Sequence, residues 1–394
     1  MAALHGRTPA LVLGKGVTAL AAMRCLGRRG IPVYAGATTD PLLQRSRWYR
    51  PLPGTPLSGI PDGELDDRLA PLDVERLVLL PTSDHWAMAV SRLRPDLRAR
   101  FPSTAVDPDV IQQLVDKTRF ARAVVALGIP HPRTTLLDEP GSLASIPPAL
   151  FRDAFLKPAK SGPFAAQFGA KAVRCANLED AIRLVERASA QGLSMMLQEY
   201  IPGPPDQHYF LEGFIDRGGR LCGMLARRRV RMYPTDFGNS TATETIPVSD
   251  VAAAAESLVR LLEGIAYRGV FSAEFKHDAR DGLFKILEVN ARPWWFVGFA
   301  ARCGLDVCDM AYRDALGEHV EPVLRYAIGR RCIAPRLDLE AGLADWRAGR
   351  SALWPFLRSW IGATQLIFAW DDPLPGVMEA SNWSRSRLRR RLRW

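Results

Sequence analysis

The chain has 394 residues, 47% of them apolar and 24% charged, which excludes a disordered, collagen-like or disulfide-stapled polypeptide and calls for two or three domains. Its net charge of +10 suggests a nucleic-acid binder until it is located: the last fourteen residues, SNWSRSRLRRRLRW, hold six arginines and no acid, and the remaining 380 residues carry only +4. The six cysteines show no CxxC spacing, so neither a zinc site nor a disulfide framework is indicated, and Cys303 and Cys308, nearest in sequence, read as buried thiols.

The start, MAALHGRTPALVLGKG, has no charged leader followed by a long apolar run, so a cytosolic, reduced setting is expected. Ala10–Leu13 reads as a strand, Gly14-Lys15-Gly16 as a turn, and Thr18 as the N-cap of a helix through Leu26. Strands at 31–34 and 77–80, with a helix from about Asp84, complete a parallel α/β domain over residues 1–108. The G-x-G-x-x-A pattern would mark a dinucleotide site only with an acid closing the second strand. That strand ends Tyr34-Ala-Gly-Ala, and Asp40 lies too far along.

A helix is expected over 108–127, then a Pro-rich connector over 130–148. After it come a strand around Phe155-Leu-Lys, a small-residue loop over 159–170, a strand over 171–175 and a helix from Asn177. Strands dominate to about Ile246, followed by a helix over 250–263 and a hairpin. Beyond Val320 no periodicity is evident. The uncharged stretch 359–370 has 12 residues, against the ~20 needed to span a bilayer. With Trp346, Trp354, Trp360 and the terminal arginines it suits contact with an anionic membrane surface, or else a packed subdomain with a solvated basic end.

The hairpin FSAEFKHDARDGLFKILEVNAR carries the chemistry. Phe271, Ala273 and Phe275 face one side, Ser272, Glu274 and Lys276 the other; Leu287 and Val289 alternate against Ile286, Glu288 and Asn290. A three-residue loop, Arg280-Asp281-Gly282, would pair Ala279 with Leu283, which sets Glu274 opposite Glu288 and Ser272 opposite Asn290. Facing carboxylates repel. Either Mg²⁺ sits among Glu274, Glu288 and Asn290, or Lys276 or an arginine neutralises the pair. Arg292 points to the same face, beside the wall Pro293-Trp294-Trp295. In a chain with 45 Arg and only 7 Lys, Lys157, on an apolar strand before Ser161, Gly162 and Gly169, stands out as a phosphate clamp.

Lys117 in VDKTRFA, Lys157 in FLKPAKSG, QEYIPG at 198–203, Glu274 in SAEFKHD and EVNAR at 288–292 occur in an order that resembles the ATP-grasp superfamily. The resemblance spans residues 1–320, and is nearest to the carboxylate–amine ligase branch that includes D-aspartate ligase. RMYPTDFGNST (231–241) and AWDDPLPG (369–376) are similar to that branch as well.

This resemblance implies a mixed α/β and α+β architecture: an N-terminal α/β domain over 1–108, an ATP-grasp domain over 109–320 with a small lid part at 150–198 and a hinge at 198–203, and an extension over 321–394. It implies ATP and Mg²⁺ as cofactors. Lys117, Lys157, Ser161, Gly162 and Lys171 would face the phosphates, Gln198, Glu199 and Ile201 the adenine, and Asp206 the ribose. Glu274, Glu288 and Asn290 would bind Mg²⁺, with Arg292 and Lys157 catalytic. Gly16, Thr18, Ser83, Asp84 and Arg231 are the candidates for the second substrate, although turn and helix-cap roles account for the first four nearly as well. The implied reaction joins a small-molecule carboxylate to an amine. A biotin- or bicarbonate-dependent carboxylase and a non-catalytic ATP-binding scaffold are the alternatives. Asp84, His208 and solvent all stay open as proton acceptors, and a homodimer is left open too.

Overall fold

The structure, a computed structural model, describes residues 6–54, 57, 64–104, 107–137, 143, 146–147, 151, 154–159, 164, 167–169, 172–175, 177–234, 238–349 and 352–391, the side chains of 353 and 384–391 apart. The wholly apolar Ala10–Leu13 (β1) is buried between two parallel neighbours, Val33–Ala35 (β2) and Val78–Pro81 (β3), as a central parallel strand must be. Gly14 cannot be replaced: its φ is +138° and a Cβ there would lie 2.0 Å from Thr82 Oγ1. The helix that follows runs Gly16–Arg28, so Thr18 lies inside it and is not its cap. Asp40 supplies the anion at this N-terminus, accepting from the Gly16 N–H at 2.6 Å and the Leu42 N–H at 2.8 Å.

The expected helix over 108–127 is two helices, Pro108–Val115 and Lys117–Ala126. Asp116 breaks them, and its carboxylate caps the second by accepting from the Thr118 and Arg119 N–H groups. That break sets Lys117 at the first helical position. Thr134–Leu137 (β4) arises inside the segment read as a connector, and joins Ala154–Pro158 (β5) and Met195–Glu199 (β6) in an antiparallel sheet of order β4-β6-β5. Of the strand expected over 171–175, the described part makes one bridge, Leu156 to Val173. Asn177 caps the helix Leu178–Ser189, which covers this sheet with Ala181, Val185 and Ala188.

The larger sheet holds seven strands: His208–Ile215 (β7), Leu221–Tyr233 (β8), Asn239–Ile246 (β9), Gly269–Asp278 (β10), Leu283–Asn290 (β11), Arg331–Ile333 (β12) and Thr364–Gln365 (β13), ordered β11-β10-β7-β8-β9-β12-β13. Its last two strands come from beyond Val320, so that region completes the sheet. The helix Ala252–Gly264 packs Leu258, Leu261 and Leu262 against Phe271, Ala273 and Phe275 on one face of β10, and the opposite face of β10 opens on the site. Among the described residues no helix is long and apolar enough to cross a membrane.

Candidate active site

β10 and β11 pair Glu274 with Glu288 and Ser272 with Asn290, as the sequence predicts, but by a different route. Asp278, not Ala279, faces Leu283, so the turn holds four residues; one extra residue, Leu287, is then absorbed opposite the Glu274–Phe275 step. The two offsets cancel at Glu288. They also correct the expected alternation: Ile286 packs in the core with Phe275, and Leu287 lines the cleft. Asp278 holds the wider turn, accepting from Arg280 Nε at 2.8 Å and Lys285 Nζ at 2.6 Å.

Between the sheet β4-β6-β5 and the seven-stranded sheet lies a cleft of about 570 Å³. Lys117, Lys157, Gln198, Glu199 and Ile201 line it on the side of β4-β6-β5. Glu274, Glu288, Asn290 and Arg292 line it from the hairpin, and Thr18 reaches it from the N-terminal helix. Burial, reinforced by repulsion from Lys117, pulls the Lys157 ammonium down to a pKa of about 8. Lys276, also on the cleft wall, is brought to about 8 by burial and the nearby Arg229.

Neutralisation by cations, the alternative to a metal, holds for one carboxylate of the pair and comes from other residues than Lys276. Glu274 Oε1 accepts from Arg229 Nη2 at 2.9 Å and meets His208 Nδ1 at 2.8 Å. Burial would raise the Glu274 pKa, but Arg229 and His208 overcome it and hold the carboxyl at about 2. An ionised carboxylate only accepts, so Nδ1 of His208 carries the hydrogen, and burial keeps that imidazole below its ordinary pKa. Among the described residues nothing bonds to Glu274 Oε2. Glu288 is exposed, and its nearest donor is the Asn290 amide at 3.4 Å. A free oxygen of Glu274, the Glu288 carboxylate and Asn290 Oδ1 form a set of hard donors that fits Mg²⁺.

The other predicted residues are placed as follows. Asp84 accepts from Arg292 Nε at 2.8 Å, and Arg292 Nη2 also donates to Asn290 Oδ1 at 3.0 Å. Ser83 caps the helix Asp84–Ser91 by accepting from the Trp86 N–H. The Gly16 N–H is taken by Asp40. The Glu199 carboxylate is committed to Arg280 Nη2 at 2.7 Å and the Arg133 N–H at 3.1 Å. Asp206 is exposed and outside the cleft lining. Arg231 also lies outside it: Nε and Nη2 donate to the fully buried Asp338 at 2.9 and 2.6 Å, which corrects its assignment to the second substrate. Ser161, Gly162 and Lys171 fall outside the described residues.

Sequence reasoning missed Arg227 and Arg229 on β8. Arg227 is buried against Glu212 on β7, with its guanidinium 3.8 Å from the Phe210 ring and 4.6 Å from Phe296. The signal available was period two: arginines at 227 and 229 share one face of β8, the face that meets Glu212 on the adjacent β7 and Glu274 on β10 beyond it. Sequence spacing also hid a group of two buried thiols and a partly buried acid, Cys25, Cys308 and Asp306, whose ligand atoms lie within 4.8 Å of one another. A hydrogen bond with Cys25, together with burial, raises the Cys308 thiol well above its ordinary pKa.

A small antiparallel sheet and a large one, enclosing a cleft with lysines on one side and paired carboxylates on the other, make this an ATP-grasp fold. No protein-family model matches the chain. It is similar to D-aspartate ligase of Enterococcus faecium, 24% identical over 249 residues, 61% of this chain and 59% of that ligase. This chain therefore spans somewhat over half of that relative's length. Among solved structures, the biotin carboxylase domain of Hydrogenobacter thermophilus 2-oxoglutarate carboxylase, in complex with MgADP and bicarbonate, superposes with a TM-score of 0.63 at 18% identity, covering 82% of this chain and 73% of that one. L-amino acid ligase of Bacillus licheniformis superposes with a TM-score of 0.53 at 11% identity, covering 81% and 79%.

Proposed function

We propose that the chain is an ATP-dependent carboxylate–amine ligase, which forms an amide through an acyl phosphate and releases ADP and phosphate. The observation that carries this reading is the cross-strand pair Glu274–Glu288 on the cleft wall, with Oε2 of Glu274 and the Glu288 carboxylate, held only by a long bond from the Asn290 amide among the described residues, left for a cation, opposite Lys117 and Lys157. Similarity to D-aspartate ligase supports ligation over the other reactions run on this fold.

Lys117 and Lys157 would hold the nucleotide phosphates. Gln198 donates its amide N–H to Thr134 Oγ1 at 2.9 Å, which leaves its carbonyl oxygen to accept from the adenine amino group, while Ile201 offers a main-chain amide. Glu274, Glu288 and Asn290 would hold Mg²⁺, which supplies charge neutralisation on the transferring phosphoryl group. An oxygen of the substrate carboxylate attacks the γ-phosphorus, the bond to the bridging oxygen breaks, and ADP leaves. The amine nitrogen then adds to the acyl carbon, and the adduct expels phosphate. Arg292 stabilises the oxyanion of that adduct. His208 is held neutral by burial, lines the cleft and keeps Nε2 as an acceptor for the amine proton.

An ADP-release assay with amino acids and other small carboxylates, each with and without an amine, tests the proposal. The expected result is ADP formation that needs both partners. ADP formation with bicarbonate alone would favour a carboxylase, and calorimetry without Mg-ATP binding would return the chain to a scaffold.

A further inference from the structure

Isolated apolar side chains on a protein surface are ordinary, but here they are concentrated. Twelve large apolar side chains are exposed among the described residues, and seven fall between Trp346 and Val377. Trp354 is 71% exposed, Ile361 77% and Trp370 90%. The same region holds the charge: from Trp346 to the end there are nine arginines against three acids, which accounts for +6 of the net +10.

The chain holds this surface out by a rigid device. Between Trp370 and Leu374 lies Asp372, 2% exposed, whose carboxylate accepts from Arg24 Nε at 2.9 Å, Ser46 Oγ at 2.8 Å and the Arg47 N–H at 2.8 Å. Asp371 is paired with Arg28 through Nε at 2.7 Å and Nη2 at 2.9 Å. These bonds fix the corner to the N-terminal helix while Trp370, before it, and Leu374 and Val377, after it, face solvent. Leu374 and Val377 open the helix Leu374–Arg391, three residues apart and so on one side. After Asp372 the only acid is Glu379, 3.8 Å from Arg336, against six arginines.

We propose that this C-terminal surface docks the protein on an anionic lipid bilayer, with Trp370, Leu374 and Val377 entering the headgroup–acyl boundary and the net positive charge of the terminal sequence supplying the attraction to lipid phosphates. Charge complementarity and exposed tryptophan together select this occupant. Nucleic acid would engage the arginines and leave the apolar side chains in water. The inference does not depend on the ligase reading.

Co-sedimentation of the full chain with vesicles tests it, using phosphatidylcholine alone and phosphatidylcholine with one third phosphatidylglycerol. Binding is expected on the anionic vesicles, weakening as salt rises, and at least ~10-fold weaker on the neutral ones. The triple variant Trp370→Ala, Leu374→Ala, Val377→Ala removes only exposed side chains, so it folds as the parent by circular dichroism, and its anionic-vesicle binding falls ~10-fold or more. Binding by the variant equal to the parent, equal binding to both vesicle types, or no binding to either overturns the proposal. So does tail-dependent binding of duplex DNA without vesicle binding.

Discussion

Arg292 and Asp84 lie 208 residues apart and form an ion pair, Nε to Oδ1 at 2.8 Å and Nη2 to Oδ2 at 3.4 Å, that ties the end of β11 to the N-terminal domain. Both are partly exposed, at 22% and 40%, so the pair opens at small cost. If Arg292 meets the substrate carboxylate or its oxyanion, Asp84 is the competitor that has to leave. Arg292→Ala is expected to lower kcat/KM by ~100–1000-fold. Asp84→Asn should lower the KM for the carboxylate and leave ATP affinity unchanged; steady-state kinetics in which that KM rises would refute the competition.

The two carboxylates of the hairpin separate stability from activity. Glu288 is exposed and has no cationic partner among the described residues, so Glu288→Gln should melt within a degree or two of the parent, while ADP formation falls at least ~100-fold. Glu274→Gln should lose activity and stability together, because it leaves Arg229, whose side chain is 6% exposed, without its anion, at a cost of roughly 3 kcal/mol. Thermal melts run beside the ADP assay check both. Normal turnover by Glu288→Gln would remove the metal assignment.

The hairpin is legible in the sequence because a period of two and a nearby turn fix which side chains share a face, and its register survives because the turn and the bulge err in opposite directions. The arginines of β8 are not legible in that way. Arg229 and Arg231 look alike at i and i+2, yet the register of β8 on β9 slips between them, and the partner of Arg231 is 107 residues off. Short strands fail for a related reason. Thr134 pairs with Gln198, and β12 and β13 are three and two residues long, so tertiary pairing and not local pattern makes them strands.

Lys157 and Lys276 give the cleft a pH signature. With pKa values of about 8 in the free protein, each is roughly half protonated at pH 8. Phosphate oxygens favour the charged ammonium and raise its pKa, so nucleotide binding above pH 8 draws protons from solution, and at pH 7, where both are already charged, it draws few. Calorimetry of Mg-ATP binding at pH 8.5 in buffers of different ionisation enthalpy should therefore show uptake that shrinks in Lys157→Met. Equal heats in all buffers would count against Lys157 as a phosphate ligand.

Asp338 anchors the C-terminal helices to β8. It is fully buried and accepts from Arg231 twice, from Thr241 Oγ1 at 2.7 Å and from Trp360 Nε1 at 2.7 Å. Arg231→Met strands that carboxylate with two neutral donors, which should cost about 3–5 kcal/mol in denaturant unfolding. The double variant Arg231→Met, Asp338→Leu removes both charges and should recover much of the loss, since a buried ion pair is expensive to break and cheap to replace. Because Arg231 lies outside the cleft, the folded double variant should keep the parent's KM for both substrates. A raised KM with stability restored would instead put Arg231 in contact with substrate.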